Sequence, residues 1–267
     1  MHIIVCAKQI TDPEAAREHF SIDEATMTVV ASSKVRLVMS PFDEQAVEAA
    51  LRIRDRAKDT KITILSLGSD SARDVIKHGL SMGADDGVLV ADPIFANADS
   101  HLTAVALAAA IRKIGSPDLI LSGRQAADWD AGVVGLGLAE LLGISAITFA
   151  RDVRVESGAV RVERVLEDGF ETVEAPLPAA VTVSNELGQP RYPNLRQVMR
   201  AGRIQPTIWS AADLGLDPDQ VAADRGGPHL ERLFMPVEEN QCEFIAGESP
   251  QEMAANLVGR MAAAKII

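Results

Sequence analysis

Three glycines, Gly123, Gly132 and Gly135, fall between a short apolar run and a helical pattern in the stretch Asp118 to Gly143, DLILSGRQAADWDAGVVGLGLAELLG. DLILSG ends in small residues, as a buried parallel strand does. GLGLAELLG carries apolar residues at helical spacing and stops on Gly143, a suitable helix C-cap. Glycines in such a loop let the backbone approach a ligand, and the free N–H groups of the following helix suit a phosphate. We expect the backbone near Gly132 to Gly135 to supply them. Asp128 and Asp130 would repel a phosphate beside them, so they are expected to cap the helix or hold the loop. Arg124 either adds charge to the site or is a surface arginine. Acid–base and metal chemistry find no support: His2, His19, His78, His101 and His229 have no triad or ligand spacing, and Cys6 and Cys242 form no motif. Cys6 lies in an apolar strand and is expected to be a small buried hydrophobe, in a chain without disulfides from a reducing compartment.

The elements that must position this loop alternate between strand and helix. Strands are expected at residues 2–7, at KITILSLG from Lys61, at GVLVAD from Gly87, at DLILSG from Asp118 and at AAVTVSN from Ala179. Helical patterns follow Pro41 (with Asp43 as N-cap), Ser71 and His101. Such alternation implies right-handed crossovers and a largely parallel sheet covered on both faces. The expected fold is α/β: a Rossmann-like doubly wound domain over residues 1–190. An antiparallel hairpin excursion interrupts it at residues 147–175, with turns at Glu156-Ser157-Gly158 and Asp168-Gly169. Residues 191–234 are rich in proline, glycine and arginine and contain a polar surface linker from Pro218 to Pro228. Residues 235–267 form a tail whose amphipathic helix starts at a Ser249 cap. That helical arm has no core of its own and is expected to fold back or to pack on another subunit.

With a formal net charge of −12 and a pI near 4.9, the chain is a poor match for DNA, RNA or an anionic membrane. The alanine-rich run from Leu102 to Ile111 is too short to span a bilayer. No basic segment with a long apolar run is seen at the start, so a cytoplasmic location is expected.

These motifs, in this order, resemble the beta subunit of electron-transfer flavoproteins. The resemblance rests on CAKQI, SPFDEQAVEAALR, SMGADDGVLV, SGRQAADWDAGVVG, VERVLEDGFETVEAPLPAAVTV and NELGQPRYPNLRQVMRAGR. It departs at Ala180, where the family has a larger aliphatic residue. It implies a heterodimer with an alpha subunit that holds the redox-active FAD and that the arm packs against. The implied function is electron transfer from acyl-CoA dehydrogenases or similar flavoenzymes to a quinone reductase or other acceptor. No side chain of this chain need be catalytic, and bifurcation is left open. Two other functions fit less well. A stand-alone adenine-nucleotide module has no use for the arm, and an ATP pyrophosphatase needs a glycine-rich loop where this chain has AKQITDPEA.

The resemblance also assigns a nucleotide site to Cys6, Ala7, Ser40, Pro41, Phe42, Asp43, Leu67 and the loop Gly123, Arg124, Gln125, Ala126, Ala127, Asp128, Trp129, Asp130, Ala131, Gly132, Val133 and Val134. All stand at expected strand ends or helix starts, where open α/β sheets bind ligands. Members with AMP in this subunit carry a threonine where this chain has Val134. Valine followed by glycine resembles the bifurcating members, which hold a second FAD, whereas Trp129 and Ala131 to Val133 match neither pattern. The balance favours FAD over AMP. Leu195 matches the family's leucine anchor for the dehydrogenase, and Arg196, Arg200 and Arg203 form a basic cluster suited to steering an acidic partner.

Overall fold

A computed structural model of the chain describes residues 1–223, 230–236 and 242–267. Among the described residues the thirteen strands are β1 (His2–Cys6), β2 (Gln9–Thr11), β3 (Phe20–Asp23), β4 (Thr28–Ala31), β5 (Leu37–Met39), β6 (Lys61–Leu67), β7 (Asp86–Val90), β8 (Leu119–Gly123), β9 (Ser145–Glu156), β10 (Ala159–Leu166), β11 (Gly169–Pro176), β12 (Ala179–Val183) and β13 (Thr207–Trp209). The α-helices are α1 (Pro41–Arg56), α2 (Arg73–Met82), α3 (Ser100–Ile114), α4 (Val134–Leu142), α5 (Leu195–Arg203), α6 (Pro218–Ala223) and α7 (Pro250–Ala263).

Nine strands form one sheet in the order β11-β10-β9-β12-β8-β1-β6-β7-β13. From β9 to β13 every neighbouring pair is parallel. The parallel strands are apolar on both faces because helices cover both. One core layer joins Ile3, Val5, Ile62 and Ile64 to Val47 and Leu51 of α1 and Ile76 and Leu80 of α2. The other joins Ile4, Leu65 and Ile120 to Leu102 and Leu107 of α3 and Leu138 of α4. Residues 1–21 and 29–231 make up one compact unit with this sheet; residues 22–28 and 232–267 cluster as a second.

The doubly wound, largely parallel sheet agrees with the expected fold class, and the excursion extends one edge of it. Strand β10 pairs antiparallel with β9 and β11. The first turn places Ser157 at φ 52° and Gly158 at φ 81°, the two positive angles that a tight two-residue hairpin turn requires. The second turn is Glu167-Asp168, with Gly169 already paired to Leu166 in the ladder, one residue earlier than expected. Four short strands between residues 9 and 39, and β13 at the far edge, were not expected. The supposed linker begins with the helix Pro218–Ala223; its residues 224–228, like His229, lie outside the described residues. Helix α7 starts at Ser249, whose hydroxyl accepts from Glu252 N at 3.2 Å, and buries none of its residues.

Candidate functional site

The chain runs from β1 through β6 to β7 on one side, then crosses back to place β8 on the other side of β1. The carboxyl ends of β1 and β8 therefore flank the point where the winding reverses, which is where open α/β sheets bind ligands. Helix α1 lies on one face and α4 on the other. The N-terminal end of α4 comes to this edge because α4 follows β8, and that of α1 because Ser40 N, just before the helix, donates to the Lys8 carbonyl past the end of β1 at 3.0 Å.

Asp43 ties the two strand ends together. Its Oδ2 accepts from Lys8 N at 2.8 Å and its Oδ1 from Gly123 N at 2.9 Å. Burial pushes its carboxyl up to about 7, against the lowering effect of those two hydrogen bonds. Asp43 is not the helix cap. Ser40 holds the N-cap position, without a side-chain cap bond, and its carbonyl accepts from Asp43 N and Glu44 N. Asp43 thus ties the start of α1 to the ends of β1 and β8.

The space for Asp43 exists because residue 123 has no side chain. A Cβ there would stand 2.6 Å from Phe42 Cβ and 2.7 Å from Asp43 Oδ1. Gly135 allows a second close approach: a Cβ would meet Ser122 Oγ at 2.7 Å and Thr182 Cγ2 at 2.8 Å. The start of α4 is accordingly pressed against β8 and β12. No side chain caps that helix start, so its first N–H groups are available to an anion.

The loop between β8 and α4 is held by its polar residues. Lys8 Nζ pairs with Asp128 at 2.7 Å, and Gln125 Nε2 donates to Asp130 Oδ1 at 2.8 Å. Both carboxylates hold the loop, and neither caps α4, whose N-cap is Val133. Arg124 is not a free surface arginine. Its guanidinium lies 5.1 Å from the Phe42 ring and 5.9 Å from the Phe149 ring, and Nη1 donates to Ser184 Oγ at 3.3 Å. Trp129 and Val133 are exposed.

The assigned residues Cys6, Ala7, Ser40, Pro41, Phe42, Asp43, Leu67 and Gly123 through Val134 all lie at this edge. The Cys6 side chain packs in the α3–α4 core layer, and burial, with Asp43 nearby, pushes its thiol up to about 12. Two hydroxyls at this end of the sheet, Ser40 Oγ and Ser66 Oγ, are fully buried without a hydrogen-bond partner. Unpaired buried hydroxyls are costly and point to a missing partner. Lys8 and Ser66 were not among the expected residues. Ser66 had a visible signal, a polar residue inside the apolar run KITILSLG; Lys8 had none.

Leu195, Arg196 and Arg200 lie apart from the crevice, on α5. Asn194 and Gln197 form a capping box at its start, which fixes the first turn. Leu195 is 76 % exposed, and Tyr192, Val198 and Met199 are exposed nearby. Arg200 reaches Asp85 at 3.5 Å.

Residues 27–214 match the family described as "Electron transfer flavoprotein domain". The chain is 35 % identical over 267 residues to the "Caffeyl-CoA reductase-Etf complex subunit CarD" of Acetobacterium woodii, with both chains covered in full. It is 36 % identical over 275 residues to the "Electron transfer flavoprotein subunit beta" of Megasphaera elsdenii, again over all of both. "Protein FixA" of Azorhizobium caulinodans is 35 % identical over 244 residues, 88 % of this chain and 85 % of that protein.

Proposed function

The chain belongs to the electron transfer flavoprotein family, and from that premise we propose that it is the beta subunit of a heterodimeric electron carrier. Its role is to hold an adenine nucleotide at the β1–β8 crevice, to complete the carrier with an alpha subunit bearing the redox FAD, and to dock an electron-donating flavoenzyme. Electrons then pass from an acyl-CoA dehydrogenase or a similar flavoenzyme to a quinone reductase or other acceptor. The observation that carries this reading is the crevice. A winding reversal, a helix start without a side-chain cap and two unpaired buried hydroxyls converge at one edge of the sheet.

These residues fit an adenine nucleotide. The first N–H groups of α4 and the loop from Gly123 to Val134 would hold phosphate, and Ser40 and Ser66 offer hydroxyls that lack partners. A bound flavin would supply one- and two-electron redox chemistry, which none of the side chains here can perform. The protein's part is to bind, orient and exclude water. Val134 brings no hydroxyl to the phosphate, which disfavours AMP and favours a second FAD, whose further contacts offset that loss. The name of the caffeyl-CoA reductase relative places it in an Etf complex with a reductase, and a bifurcating role for this chain is consistent with that kinship.

Helix α7 buries none of its residues and exposes Met253, Leu257 and Val258. An arm with that composition suits packing on the alpha subunit and disfavours a stand-alone nucleotide sensor. Co-expression tests the assembly: with its alpha subunit the chain should elute as a stable yellow 1:1 complex. A well-folded monomer that does not bind the alpha subunit would overturn the proposal.

A further inference from the structure

Glu48 sits in the middle of α1, only 4 % exposed, and accepts hydrogen bonds from two arginines. Arg52 Nε reaches its Oε1 at 2.8 Å. Arg191 Nε reaches Oε2 at 2.7 Å, Arg191 Nη2 reaches Oε1 at 3.2 Å, and the Arg191 backbone N–H adds a bond to Oε2 at 3.2 Å. Arg191 also bonds Asp55 Oδ2 at 2.8 Å, and Arg52 Nη1 donates to the Leu187 carbonyl at 2.9 Å. Burial opposes the charge on Glu48, but the bonds from Arg191 and Arg52 outweigh it and hold the carboxyl below its ordinary value.

A buried carboxylate with this many donors fixes whatever carries them. Here it fixes residues 187–191, the irregular stretch that leads into α5 and the exposed Leu195. No strand or helix covers residues 188–194. Helix α5 has only nine residues, too few to be stable without anchoring. The rest of α5 packs on α2, where Gln197 Nε2 donates to the Met82 carbonyl at 3.4 Å, Arg200 reaches Asp85 at 3.5 Å and Ala201 is buried.

We infer that Glu48 is a positioning residue for partner docking: through Arg191 it sets where α5 presents Leu195 to the donor flavoenzyme. The inference rests on the docking role proposed above for Leu195. Binding to a loosened segment must supply the cost of ordering it, which weakens association and leaves the electron-transfer step untouched once the complex has formed.

The test uses the heterodimer and a donor flavoenzyme that reduces the wild type. Arg191→Met frees the segment while leaving Glu48 paired with Arg52; Glu48→Gln removes the buried charge. Both should raise the KM for the donor about three- to tenfold at unchanged kcat and unchanged nucleotide content. Adding Leu195→Ala should abolish the further effect of Arg191→Met, because the arginine acts through Leu195. An unchanged KM in Arg191→Met, beside a raised KM in Leu195→Ala, would overturn the positioning role alone. Additive effects would make Arg191 a partner contact and would also overturn it. No effect of Leu195→Ala by itself would remove the docking reading on which the inference stands.

Discussion

Gly123→Ala tests the crevice at its tightest point. The added methyl would stand 2.6 Å from Phe42 Cβ, 2.8 Å from the Phe42 carbonyl carbon and 2.7 Å from Asp43 Oδ1. Two of these neighbours, Phe42 Cβ and the Phe42 carbonyl carbon, are fixed by the backbone of the first turn of α1, so no side-chain rotation relieves the clash. That turn must retreat by roughly 0.8 Å to restore ordinary contact at 3.4 Å. Overpacking of this kind costs about 1–3 kcal/mol. The bond from Gly123 N to the Asp43 carboxyl is lost with it, and a hydrogen bond of this kind contributes about 0.5–1.5 kcal/mol. A destabilisation of about 2–4 kcal/mol, or a Tm lower by about 10 °C, is expected. Because the displaced turn is one wall of the crevice, nucleotide content should fall as well. Gly143→Ala is the control: it lies at φ 66° with nothing near its Cβ position, so it should cost about 1–2 kcal/mol and leave the nucleotide in place. Calorimetry and chromatography of nucleotide released by acid read both quantities. A Gly123→Ala heterodimer with the wild-type Tm and full nucleotide content would mean that this contact does not shape the crevice.

Three further outcomes are expected. Leu195→Ala should weaken the donor's apparent affinity by ten-fold or more, since a buried leucine anchor contributes about 1–3 kcal/mol, while folding and nucleotide content stay intact; steady-state kinetics with the donor decide this. Val134→Thr should favour AMP and lower the flavin count towards one per heterodimer, measured by absorbance and chromatography of the released nucleotide. Folded Asp43 keeps its proton up to about pH 7, whereas the unfolded chain releases it near the ordinary carboxyl value of 3.8. The folded chain therefore binds more protons in that window, and this contribution to stability is lost as pH rises from about 4 to 7. Urea unfolding across that range should show the decline, and its absence would mean that Asp43 is charged when folded.

The alternation of strand and helix was legible because β1, β6, β7, β8 and β12 are apolar on both faces and α1 to α4 carry helical periodicity. Strands β2 and β13 are three residues each, too short for a pattern to show. Which residues stand at the carboxyl ends of the parallel strands was legible too, since strand ends and helix starts can be read locally. What faces what was not. Asp43 looks like a helix cap from its neighbours alone; its real partners, Lys8 N and Gly123 N, are 35 and 80 positions away. Glu48 and Arg191 are separated by 143 positions, and nothing in either local sequence pairs them.

The proposed role requires that this chain hold an adenine nucleotide of its own and that the nucleotide be FAD. Acid release and quantification from the purified heterodimer address it directly. Two FAD per heterodimer is the predicted result, with Gly123→Ala selectively losing one. One FAD with one AMP would contradict the choice of FAD, and a single FAD with no second adenine nucleotide would contradict the site itself.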